Sequence, residues 1–470
     1  MKIFRYALIV VLWMTIILLA VIYGFLILAY LNLIVQLWHI GHPSPLLIIE
    51  LIVLAVCLCV LVAHVCRRKR WYPKQLWHWG ALVLLLALPL IVLAIDASPV
   101  IDDYSRADIA PPSKKAEESY DVFMTYRRGK EPDFKINAPH VLNLETITNA
   151  LPYAEEIEKA WKDISVGRKY IEKLDSFEQI VDLIPRIKLD FETPMINFMS
   201  NRIFAYVYCA YVVLKAEEGK PEEGVRNLVQ LHSVCRKALP NCVLLVPKMI
   251  WVAIARGNIE TAYLIATKQN CTPETLEILK TGFDPLTHED VSIRRPMIAE
   301  YLCVREFYLT VGKKPLPQSF LKKTALIFSP IFFNRNRTIR ELKKRYDLII
   351  AGASKCPPDI PNTIDELYNN TPRLRNPWGQ MMYMAALPSF SKAAEMSSKI
   401  KVLSDLLAIT LSSRSGQEIN LPDFYTGKAY IIDEKTGAAM SAGPDGLLGT
   451  EDDIKLGDWP RPPSRGPRNK

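Results

Sequence analysis

Hydrophobic positions run almost unbroken through three stretches at the start of the chain, then change to a helical spacing that persists to about residue 415. Between Arg5 and Leu37 no residue is charged. That run exceeds the roughly 20 residues a helix needs to cross a ~30 Å hydrocarbon layer. Residues 46–66 and 76–95 form two further runs of spanning length. Beyond a polar, proline-bearing stretch, apolar residues recur with a helical period and predict helices over 144–164, 177–184, 197–217, 222–238, 243–268, 273–281, 298–311, 338–351 and 389–412. After residue 415 the period shortens, and two alternating runs around a Gly-containing turn predict a β-hairpin.

The fold class that follows is mainly α. Residues 1–96 are expected to hold three transmembrane helices, 97–120 a linker, 121–415 an extracytoplasmic domain of helical hairpins, 416–457 a small β-hairpin with a loop, and 458–470 a disordered tail. The segment Glu217-Glu218-Gly219-Lys220-Pro221-Glu222 carries a helix stop followed by a helix start, as expected of a hairpin turn. Gly257-Asn258-Ile259-Glu260, 38 residues after Gly219, leaves two arrangements open. It resembles the turn of a tetratricopeptide unit, which implies a solenoid, or it lies inside one long helix that tolerates Gly257.

Charge sets the orientation. Lys2 and Arg5 place the N-terminus inside, the uncharged connection 38–44 belongs outside, and Arg67, Arg68, Lys69, Arg70 and Lys74 belong inside. Three spans then export everything after Asp96 from the cytoplasm across an inner membrane. Trp38, Trp71, Tyr72, Trp77 and Trp79 fall at the expected interfaces. These seven basic residues stand against only Glu50 and Asp96, so most of the chain's net charge of +9 belongs to the membrane part. The small remainder gives no reason to expect a nucleic-acid partner. Glu50 is the one acid inside a span: a proton or ion site, or a side chain that reaches the nearby headgroups. The apolar run 325–333 with the basic residues after it is either an interfacial lipid anchor or a buried segment beside a solvated helix face.

Chemistry is sparse. The exported part has three histidines, His140, His232 and His288, and neither a His-Glu-x-x-His nor a Cys-x-x-Cys element. His288-Glu289-Asp290 reads as a solvated loop. Ser398-x-x-Lys401 and Lys435-Thr436-Gly437 match two elements of penicillin-binding proteins, but they are too close together and the Ser-Asp-Asn element is missing. Of the six exported cysteines, Cys235 and Cys242 flank a Leu-Pro-Asn turn that could bridge them, and Cys209 in an apolar run is expected buried and free. Asn270, Asn336 and Asn369 match the glycosylation triplet.

The richest signal follows the hairpin. In Gly443-Pro444-Asp445-Gly446-Leu447-Leu448-Gly449-Thr450-Glu451-Asp452-Asp453-Ile454, four carboxylates crowd among glycines that let carbonyls converge. Such a flexible all-oxygen set suits Ca²⁺, with Asp445, Glu451, Asp452 and Asp453 as candidate ligands; a metal-free turn with Asp side chains capping amides is the alternative. Ser441, Gly443, Asp445, Gly446, Gly449, Thr450, Asp452, Asp453 and Ile454 carry a resemblance to the C-terminal calcium loop of type II secretion major pseudopilins. It covers about the last 40 residues and implies a bound Ca²⁺. Pro422 to Lys428 is also similar to a hairpin that closes bacterial membrane-anchored helical proteins of unassigned activity. The function expected is a non-enzymatic, membrane-anchored scaffold with an envelope or secretion protein as partner. The alternative is an envelope hydrolase whose site is scattered through the helices.

Overall fold

A computed structural model describes residues 103–109, 113–127, 150–183, 198–268, 271–310, 335–360, 388–432 and 438–457. The three expected spans, the run 325–333, His140, Asn270, Asn369 and the tail 458–470 lie outside them. Among the described residues no helix is long and apolar enough to cross a membrane. The fold is mainly helical with a small antiparallel sheet near the C-terminus.

The helices are α1 Lys114–Arg127, α2 Ala154–Asp163, α3 Ser165–Asp175, α4 Phe198–Glu217, α5 Pro221–Ala238, α6 Leu245–Thr267, α7 Pro273–Gly282, α8 His288–Val291, α9 Arg294–Thr310, α10 Arg335–Ala353 and α11 Pro388–Arg414. The chain divides into two compact units, one formed by 104–303, 349–360 and 391–470, the other by 1–103, 304–348 and 361–390. In the second unit Lys343 joins Asp103 at 2.8 Å and Asp347 at 3.0 Å, and Tyr346 meets Phe390 edge-on with ring centroids 5.8 Å apart.

The first unit is built around α4. Val207 to Leu214 are all buried, so this helix is apolar on every face and has to be central. α5 is two-sided: Val225, Leu228, Leu231, Cys235 and Ala238 recur at helical spacing and are buried, while its acidic first turn holds Glu222 and Glu223. α4, α5 and α6 pack on one another; α2 lies on α4, and α3 and α7 lie on α5. Gly219, at φ +78°, ends α4 in the left-handed conformation, and Pro221 starts α5, so the expected hairpin forms. Trp161 of α2 stacks on Tyr211 (centroids 3.9 Å, planes 4° apart) and meets Tyr208 edge-on at 4.9 Å.

Several expectations need correction. Residues 177–183 form no helix; they cross irregularly from α3, and the carboxylate of Asp182 instead accepts from the Val243 and Leu244 amides just ahead of α6. α1 begins at Lys114, inside the stretch expected as linker. Gly257 lies within α6, so no tetratricopeptide-like turn forms there, and the single long helix is the arrangement adopted. His288-Glu289-Asp290 is a capped helical turn, with the Thr287 hydroxyl accepting from Asp290 N–H at 3.2 Å and the Asp290 carboxylate accepting from Thr287 N–H at 2.7 Å.

The sheet consists of β1 Ile431–Ile432, β2 Ala439–Ser441 and β3 Ile454–Lys455 in that order, antiparallel throughout. Ile431 faces Met440, and Ser441 faces Ile454. The third strand was not legible in the sequence, because two residues after an acidic turn carry no alternation to read.

Candidate functional site

The C-terminal turn places its carboxylates on its own backbone. Asp445 Oδ1 accepts from Leu447 N–H at 2.7 Å, Asp452 Oδ2 from Asp445 N–H at 3.0 Å, and Asp453 Oδ2 from Gly449 N–H at 2.9 Å. The Thr450 hydroxyl donates to Asp452 Oδ1. That bond and the Asp445 amide hold the Asp452 carboxyl below its usual range. Gly443, at φ +66°, sits where a Cβ would overlap the Asp452 carbonyl and carboxylate, so only glycine fits. Glu451 is exposed, and Asp453 Oδ1 is a buried oxygen with no hydrogen-bond partner. Among the described residues no group of three or more His, Cys, Asp or Glu is gathered to hold a metal ion. Asp445, Asp452 and Asp453 thus spend carboxylate oxygens on the turn's own amides and the Thr450 hydroxyl, while Asp453 Oδ1 stays bare. At its tip Leu447 and Leu448 are 63% and 54% exposed.

A buried polar joint ties this β element to α11. Tyr430 Oη donates to Asp405 Oδ2 at 2.9 Å, and Lys401 donates to both Asp405 oxygens. Burial raises the Asp405 carboxyl above its usual range against the pull of Lys401. The Lys401 ammonium is therefore committed to Asp405, one turn along, which explains the Ser398-x-x-Lys401 element as a helix-face ion pair. Asp423 caps its own turn through Tyr425 N–H at 2.8 Å and Thr426 N–H at 3.1 Å.

The second site was not foreseen. Where α5 and α7 end and the chain emerges from α3, the surface opens into a cleft of about 570 Å³ whose lining includes Glu178, Ser233, Arg236, Lys237, Asn241 and Glu289. Ser233 Oγ donates to Asp175 Oδ1 at 2.7 Å, and Lys237 Nζ donates to the same oxygen at 2.6 Å. Arg236 lies 3.6 Å from Asp284. The wall is braced from inside by Lys248, fully buried, whose ammonium donates to the carbonyls of Leu239, at 2.6 Å, and Asp290. Burial pulls the Lys248 ammonium down to about 8 and pushes Asp182 up to about 6, although Asp182 accepts from Val243 N–H at 2.8 Å and Leu244 N–H at 3.0 Å. A lone Lys in the apolar run 243–255 was the signal available in the sequence.

Cys209, Cys235 and Cys242 serve packing. Cys235 and Cys242 are both free and buried, so the expected bridge is not formed. Cys235 Sγ accepts from Asn258 Nδ2 at 3.7 Å, and Asn258 Oδ1 accepts from Cys209 Sγ at 3.7 Å, inside the α4–α5–α6 core. Burial raises the Cys242 thiol and pushes the Cys209 thiol up to about 12. No family model matches the chain, and no curated protein or solved structure matches it either.

Proposed function

We propose that this protein is a membrane-anchored scaffold or interaction protein. In this reading three N-terminal helices cross an inner membrane with the N-terminus inside, and the helical unit with its β element is displayed outside the cytoplasm. The observation that carries the interaction role is the Leu447-Leu448 tip: two apolar side chains more than half exposed, on a turn held by four side-chain bonds to backbone and hydroxyl. The partner is an envelope or secretion protein. A Ca²⁺ ion on Asp445, Glu451, Asp452 and Asp453 belongs to the same reading, supported by the bare Asp453 Oδ1 and by the pseudopilin-like spacing. A photo-crosslinking residue at position 447 should give one discrete adduct in cells, and the same probe at exposed Glu274 none. Equal, diffuse labelling at both would defeat the reading. Reporter fusions after residue 120 should be active only outside the cytoplasm, and a cytoplasmically active fusion would remove the topology.

The Ser233, Asp175 and Lys237 arrangement favours a second reading, an envelope hydrolase with Ser233 as nucleophile. Turnover of peptidoglycan or peptides by the purified protein, abolished in Ser233→Ala, would replace the scaffold with the enzyme.

A further inference from the structure

We propose, on the interaction reading of the Leu447-Leu448 tip, that the chain's own basic segment 458–470 docks over that tip, so that a partner reaches it only by displacing the segment. Among the described residues Leu447 and Leu448 are the most exposed large apolar side chains, at 63% and 54%. The turn that carries them has no basic residue: Asp445 and Glu451 are exposed, and Asp452 and Asp453 half-buried. None of the four makes an ion pair with a Lys or Arg among the described residues. Glu451 has no hydrogen-bond partner there either, and Asp453 Oδ1 is bare although buried. An apolar tip ringed by unneutralised carboxylates calls for an occupant that brings apolar surface and positive charge together.

The chain supplies both a few residues later. Segment 458–470 carries Arg461, Arg465, Arg468 and Lys470 against Asp458 alone, interleaved with Trp459, Pro460, Pro462 and Pro463. A guanidinium matches a carboxylate with two parallel N–H donors, and the ring and prolines give the leucines something apolar to lie against. Reach permits it. β3 ends at Lys455, and the chain leaves at Gly457, where a Cβ would stand 3.3 Å from Tyr263. From Gly457 back to the turn is four residues of chain, roughly 13 Å at most. Extended forward, Arg465 reaches about 26 Å from Gly457 and Lys470 about 43 Å, enough to fold back over the tip. Tethering places the segment at an effective concentration of roughly millimolar, so a few exposed ion pairs, each weak alone, suffice to hold it. A bilayer is the poorer occupant, because anionic headgroups repel the same four carboxylates.

A photo-crosslinking residue at position 447 of the purified full chain in micelles tests the docking. Chelator keeps Ca²⁺, which contends for the same carboxylates, out of the measurement. Mass spectrometry should find position 447 joined to a peptide from 458–470 of the same chain, in a yield that falls with salt. Changing Arg461, Arg465 and Arg468 together to Glu should lower that yield roughly tenfold, whereas exposed Lys169→Glu should leave it unchanged. Crosslinks only between two chains or only to detergent, or equal losses in Lys169→Glu and the triple variant, overturn the proposal. In cells, a chain ending at Gly457 should give severalfold more partner adduct at 447 than the full chain. Less adduct from the shortened chain would make the segment a recruiter of the partner and overturn the shielding. No cellular adduct from either chain, with the 447-to-segment crosslink present in the purified protein, defeats the interaction reading and leaves the docking intact. Cellular adducts without that crosslink defeat the docking alone.

Discussion

Tyr430 Oη and Asp405 Oδ2 lie 2.9 Å apart inside the molecule, so the C-terminal sheet is joined to α11 by a phenol donating to a buried carboxylate. A hydrogen bond to a charged group contributes about 1.5–3 kcal/mol, more than a two-residue strand pair can supply alone. Tyr430→Phe should therefore loosen the β element by about that amount and leave the helices folded. Amide exchange would check it: faster exchange confined to 421–432 and 438–457 is expected, and unchanged rates there would show that the joint is not what holds the sheet.

Acid stability should depend on His232. It is fully buried, stacks on Phe283 with centroids 4.1 Å apart, and neither ring nitrogen has a hydrogen-bond partner. Burial and the Arg236 charge pull its pKa down to about 3 from an ordinary 6.5. The unfolded chain thus takes up a proton below pH 6.5 that the folded chain refuses until about pH 3, and stability is lost as pH falls through that window. Asp182 works the other way: its folded pKa is about 6 against 3.8, so its contribution grows as pH falls from 6 toward 3.8. His232→Phe, which keeps the stack, should gain stability relative to the parent by about 1.4 kcal/mol per pH unit as pH falls below 6.5. Urea midpoints at pH 7, 6, 5 and 4 would measure this. A constant difference across the series would mean that His232 is charged in the fold.

Calcium should order the acidic turn if Asp453 takes an ion. Proteolysis after about Leu421 should then be slower in millimolar Ca²⁺ than in chelator, because a ligand that binds only the folded turn stabilises it by mass action. Asp452→Ala should be insensitive to calcium and cut as the chelated protein is. Equal cleavage rates in both buffers would leave the turn held by its amide caps alone.

Gly224 tests the α4–α5 contact. A Cβ on it would come 2.9 Å from Val212 Cα, which is main chain and cannot swing aside. Ala is favoured over Gly in a helix by about 0.8–1.0 kcal/mol. Separating two packed helices costs about 1–3 kcal/mol, and the larger effect wins. Gly224→Ala should lower the melting temperature of the full chain by a few degrees. An unchanged or raised melting temperature would show that the helices have room to part.

The long helices were legible because their patterns are strong. α4 had to be central once 204–214 proved apolar with no polar face, and the hairpin followed from Gly219 and Pro221, whose backbone preferences act within a few residues. The β-hairpin was readable for the same local reason. Residues 177–183 misled because their apolar spacing also suits an irregular segment held by a side chain. Asp182 could not be paired with Val243 and Leu244 from sixty residues away, since hydrogen bonding over that separation leaves no period in the sequence.

What the sequence by itself determined was what depends on neighbours: helix and turn positions among the described residues, and the crowding of carboxylates between Asp445 and Asp453. Tertiary structure alone decided what each polar group touches. It spent Asp445, Asp452 and Asp453 of the C-terminal turn on amides, gave Lys401 to Asp405, left Cys235 and Cys242 unbridged, and brought Glu178, Asn241 and Glu289 from three segments to one cleft. The physical reason is range. Backbone preference and hydrophobic periodicity act along a few turns of chain, whereas a carboxylate's partner is chosen by whatever the packed core brings within about 3 Å.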